Sequence, residues 1–92
     1  MDVTIGSHTY DLTTRSLVIA AAGAPTEGAD LRDEDGPVPE EARPLLVDVT
    51  DADCPTAAVA VAVIRGARLI RTADPRGARR VCDVLAAVME AR

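Results

Sequence analysis

Tyr10 is the only aromatic side chain in this 92-residue chain, which has neither Phe nor Trp. That shortage constrains the fold more than any other feature. Nearly half of the residues are hydrophobic, at 48%, so the chain is not disordered by composition. Its core, however, must be assembled from Ala, Val, Leu and Ile, each of which buries little surface. A domain of this size hides only about 60–65% of its unfolded surface. The expectation is one small domain over residues 1–92, with a partner surface where more burial is recovered. A complete eight-fold βα barrel, at about 250 residues, is excluded.

Other classes fall away on similar grounds. The longest apolar run, Ala57 to Ile64, is far short of the roughly 20 residues that span a bilayer. Met1-Asp2-Val3-Thr4 shows no basic segment leading into an apolar one. Cys54 and Cys82 lie far apart, with no Cys-x-x-Cys and only His8 as a histidine. Neither a disulfide framework nor zinc is expected; both thiols read as reduced, buried and structural. The expected location is cytoplasmic, with no membrane partner.

Charge is uneven along the chain. Glu27 to Glu41 carries seven acids and one Arg, whereas Arg65 to Arg80 carries six Arg and one Asp. The acidic stretch also holds Gly28, Gly36, Pro37 and Pro39, and reads as a solvated loop. The Arg cluster decorates a helix or faces an anion. A nucleic-acid partner is not expected, because net charge is −5 and no aromatic residues interleave with the arginines.

The elements follow from local pattern. Val3 to Ile5 and Thr9 to Leu12 form a hairpin around Gly6-Ser7. Leu17 to Ala22 and Leu45 to Val49 are buried-strand candidates, with a loop from Gly23 to about Pro39 and a short turn of helix at 40–43. Asp53 and Pro55 signal a helix start, and Gly66 its stop. Residues 55–65 have almost no polar face, so such a helix buries more than one side. Its β-branched residues leave a strand as the alternative. Arg68 to Arg71 is a third parallel strand. Asp74-Pro75 opens a final helix with an apolar stripe of Ala78, Val81, Cys82, Leu85, Val88 and Met89. The fold class is α/β: an N-terminal hairpin, about three parallel strands and two main helices joined by a right-handed crossover.

Two blocks of this sequence resemble a known family. Ala57-Ala58-Val59-Ala60-Val61-Ala62-Val63-Ile64-Arg65-Gly66-Ala67-Arg68-Leu69-Ile70-Arg71-Thr72-Ala73-Asp74 is similar to the end of the dihydropteroate synthases, the pterin-binding folate enzymes. There an Ala-rich helix reaches Gly-Ala and a strand ends in Arg-Val-His-Asp-Val. Ile5-Gly6-Ser7-His8-Thr9-Tyr10-Asp11-Leu12 resembles that family's opening hairpin, Leu17 to Ala22 its first barrel strand, and Pro44 to Thr50 its seventh. The resemblance implies a fragment of a (β/α)8 barrel with strands two to six removed. Three parallel strands would then lie in the order 45–49, 68–72, 17–22.

The family's chemistry does not carry over. Its Asn after the first strand has no counterpart, because this chain has no Asn. Its Ser-Arg-Lys becomes Thr50-Asp51-Ala52, and its anion-binding His becomes Ala73. Arg71, Asp74 and Arg76 remain as candidates for a phosphorylated or pterin-like compound at a helix N-terminus. Arg71 reads equally as a salt bridge to the acidic loop. Cys54, before a helix start, is the one reactive-thiol candidate. Asp48, Asp51 and Asp53 could hold a cation, or solvate a loop and cap a helix. No catalytic set, cofactor or metal is expected. The family dimerises through helices near its C-terminus, so the resemblance implies a non-catalytic homodimer. Ala58, Val59, Val61 and Ala62 are the candidate interface.

Overall fold

The computed structural model describes residues 2–12 and 16–90. The chain opens with β1 (Asp2–Ile5) and β2 (His8–Asp11), an antiparallel hairpin in register Ile5↔His8 to Asp2↔Asp11. Its two-residue turn needs a left-handed residue, and Gly6 supplies it at φ 63°. A Cβ there would also meet the Asp35 carbonyl oxygen at 2.2 Å. Val3 and Ile5 are buried while Asp2 and Thr4 are exposed, the period of two that a one-faced strand requires.

Four parallel strands follow: β3 (Leu17–Ala20), β4 (Leu31–Arg32), β5 (Leu46–Asp48) and β6 (Leu69–Thr72). They form one open sheet in the order β4-β3-β6-β5. Leu69 pairs with Leu17 on one side and with Leu46 on the other. The expected order of the three longer strands is therefore what the sheet adopts. Both faces are covered. Val18 and Ile70 point into a cluster with α1 (Pro55–Ile64) and α2 (Pro75–Glu90), through Val59, Val63, Ala78 and Cys82. Leu17, Ile19 and Leu69 point the other way, to Val3 and Ile5 of the hairpin, Leu31 and Ala42. Double coverage explains why these strands read as continuous apolar runs rather than alternating ones.

The acidic stretch 27–41 is more ordered than the solvated loop expected from its charge. Leu31, 3% exposed, plugs the hairpin-side core, and Leu31–Arg32 joins the sheet edge. Short 3₁₀ turns follow at Asp33–Asp35 and Glu40–Leu45. Two carboxylates assist the sheet: the Val18 amide donates to Asp30 Oδ2 at 2.8 Å, and the Ala22 amide to Asp33 Oδ2 at 3.0 Å. Gly28 lets this segment close on the start of α2. Its φ is 87°, and a Cβ would sit 2.8 Å from the Arg76 Cα.

Residues 55–64 are helical, not a strand. Pro55 occupies the first turn, and Cys54 is the N-cap residue, without a side-chain cap bond. Asp53 precedes the cap rather than providing it. The helix ends in a Schellman motif: the Gly66 amide donates to the Val63 carbonyl and the Ala67 amide to the Ala62 carbonyl, both at 3.0 Å. Gly66 takes φ 102°, as that motif requires. On α2, Asp74 Oδ1 accepts from the Gly77 amide at 3.2 Å, the expected cap. The apolar stripe of α2 is buried at Ala78 and Cys82 and half-buried at Val81 and Leu85. Beyond that it runs off the sheet, leaving Val88 and Met89 exposed. No helix among the described residues is long and apolar enough to cross a membrane.

Candidate functional site

Strand ends at the carboxyl edge of a parallel sheet are where α/β folds place polar chemistry. Arg71, near the end of the interior strand β6, lies beside Asp48 in the register of β5. Its guanidinium forks onto Asp33, with Nε donating to both oxygens at 3.1 Å and Nη2 donating to Oδ2 at 2.6 Å. Nη1 donates to Asp48 Oδ2 and to Thr50 Oγ1, each at 2.9 Å. Three separate segments are thereby tied across the sheet end. One positive charge faces two negative ones, so the cluster carries a net −1.

Hydrogen bonding from Arg71 holds the Asp33 carboxyl below its ordinary range, against the upward push of partial burial. For Asp48, burial pushes upward, but hydrogen bonds from the Thr50 hydroxyl and amide, with the Arg71 charge, outweigh it and leave the carboxyl lowered. Arg71 is raised, chiefly by its hydrogen bond to Asp33. Folded carboxyls lowered in this way stabilise the protein fully above the unfolded Asp value of about 4. That stability is lost as pH falls through the lower folded values. Asp33→Asn is therefore expected to cost about 1–2 kcal/mol at pH 7, reduced from a fully buried charged bond because Asp33 is 28% exposed. The difference between variant and parent should shrink below about pH 4. Thermal melts across pH 2.5–7 check this, and a gap that stays constant to the lowest pH would count against it.

The candidate ligand residues have separate intrachain roles. Arg71 is held by Asp33 and Asp48, so it is the salt bridge to the acidic segment. Asp74 caps α2. Arg76 is exposed in the first turn of α2, with its backbone against Gly28. Among the described residues, no three His, Cys, Asp or Glu side chains converge as a metal site. Asp48 is bonded to Thr50 and Arg71, while Asp51 and Asp53 are exposed. Cys82 is buried as expected; Cys54 is exposed, because it lies at the open start of α1, which corrects the reading of two buried thiols.

The more distinctive surface lies on the helical layer. Every exposed large hydrophobic among the described residues is there: Val61 and Ile64 on α1, and Val84, Val88 and Met89 on α2. Beside α1, an open cleft of about 600 Å³ reaches the edge strand β5, between Pro44, Leu45, Val47, Ala57, Val61 and Arg65. The candidate interface residues divide. Val61 is 50% exposed, whereas Val59 at 1% and Ala62 at 7% face the chain's own core, and Ala58 is half-buried. Val59 and Ala62 are thus corrected to core residues, and Ala57, Val61 and Ile64 form the outer stripe. The sequence missed this phase because Ala and β-branched residues alternate along α1, and Thr56 in its first turn is the helix's single polar residue, too little to mark which side faces out.

Compared with models of known families, with curated proteins and with solved structures, the chain matches none of them.

Proposed function

We propose that this chain is a non-catalytic interaction module that self-associates through the outer face of α1, a reduced relative of the pterin-binding synthases. One observation carries the reading: all of the large exposed aliphatics among the described residues lie on the helical layer, with Val61 50% and Ile64 65% exposed on a helix that has no polar stripe. A surface of that kind is a contact surface on a soluble domain. The order β5-β6-β3 supports the resemblance, since it is the order that strands seven, eight and one hold in a closed barrel. The ligand reading has less support, because an anion would have to displace Asp33 and Asp48 from Arg71.

Sedimentation velocity on the intact chain at micromolar concentration tests the reading. The expected result is a dimer that becomes a folded monomer in Val61→Asp. A folded wild-type monomer throughout that range would overturn it. Calorimetric titration with pyrophosphate addresses the ligand alternative: heat that disappears in Arg71→Ala would favour a small-molecule site instead.

A further inference from the structure

The ends of α1 carry opposite charge. Asp51 and Asp53 precede the helix and Arg65 follows it, and all three are exposed. No ion pair to another described residue occupies any of them. Between them runs the outward stripe Ala57, Val61 and Ile64, spaced as one helical face. This face has a large residue at one end, a small one at the other, and Val61 near its middle.

We infer that the occupant of this face is a second copy of the chain, with the two α1 helices antiparallel about a two-fold axis level with Ala60. The inference rests on the reading of α1 as an association surface and specifies its partner and geometry. Antiparallel docking sets Arg65 beside the partner's Asp53, twice per dimer, and opposes the two helix dipoles. It also lays the 65% exposed Ile64 over the partner's Ala57, large against small. A parallel arrangement does the reverse: Arg65 faces Arg65, Asp53 faces Asp53, and the two Ile64 side chains collide. Ala57 and the half-buried Ala60 allow the helices to approach closely. The ten-residue helix is about 15 Å long, so the two copies of Ala57 lie toward opposite ends of the contact in this docking.

Two measurements on the full chain test the geometry. The first is a charge swap followed by sedimentation equilibrium. Arg65→Asp alone and Asp53→Arg alone should each weaken the dimer about tenfold, since two exposed pairs are lost per dimer. The double variant should recover most of the wild-type affinity, and a double variant no better than either single one would overturn the inference. The second is mild oxidation in a Cys54→Ser background. Ala57→Cys chains mixed with Ile64→Cys chains should cross-link to each other, while Ala57→Cys alone should not. Efficient linkage of Ala57→Cys to itself would overturn the antiparallel arrangement while leaving self-association through α1 intact. A wild-type monomer would remove both. Each substituted position is exposed, so circular dichroism of the variants should match the parent.

Discussion

Asp30→Ala is expected to destabilise the protein by about 3–5 kcal/mol, the usual cost of removing one partner from a buried ion pair. The Asp30 and Arg79 side chains are each only 15% exposed and are hydrogen-bonded to one another. Asp30 also accepts the Val18 amide in the centre of the sheet. Alanine leaves a guanidinium with little beyond a long bond to the Gly28 carbonyl, 3.4 Å away. Asp83, 3.5 Å from Arg79 and 57% exposed, is a poor replacement. Domains of this size have roughly 0.05–0.15 kcal/mol of stability per residue, so the loss is a large share of the total. Urea unfolding should show a lower midpoint with the slope retained. Adding Arg79→Met should restore part of the loss, because no unpaired charge then remains. A loss under about 1 kcal/mol in the single variant would show that the pair is already solvated.

Ile70→Ala should cost about 2–5 kcal/mol. Ile70 is 0% exposed on the interior strand β6, and faces the helices amid Val18, Val59 and Ala62. Its position among small and β-branched neighbours places the effect in the upper part of that range. Those side chains have few rotamers with which to refill the space, and no aromatic ring is nearby to swing in. The matched control is Val84→Ala, at a position 61% exposed on α2. It should change stability by no more than about 0.5 kcal/mol. Urea denaturation of both variants at low protein concentration compares them directly, and equal losses would mean that the helix-side core is not packed around Ile70.

The two expectations concern different kinds of information in the chain. Ile70 lies in a continuous apolar run, and its burial is readable because a doubly covered strand leaves that signature. Asp30 sits in a stretch with seven acids and reads as solvated. Its partner Arg79 is 49 residues away. Leu31, between Asp30 and Arg32, is the lone leucine of that stretch, and nothing in its neighbours marks it as a residue that docks. Arg71 shows both cases at once: a salt bridge to the acidic stretch was foreseeable, but the second carboxylate, Asp48, follows from strand register.

The sequence by itself determined the hairpin turn and the ends of the two helices. Gly6-Ser7 turns the hairpin, Pro55 and Gly66 bracket α1, and Asp74-Pro75 starts α2, because turns and caps depend on residues a few positions apart. It also required a core of small aliphatics, since nothing larger than Tyr10 is present. Tertiary structure alone decided the rest. It made a strand of Leu31–Arg32, placed Asp30 and Asp33 against distant arginines, and chose which side of α1 faces out. The physical reason is common to all three. A charged side chain reads as solvated until a distant residue meets it, and a helix apolar on every side acquires an inside only when a sheet is laid beneath it.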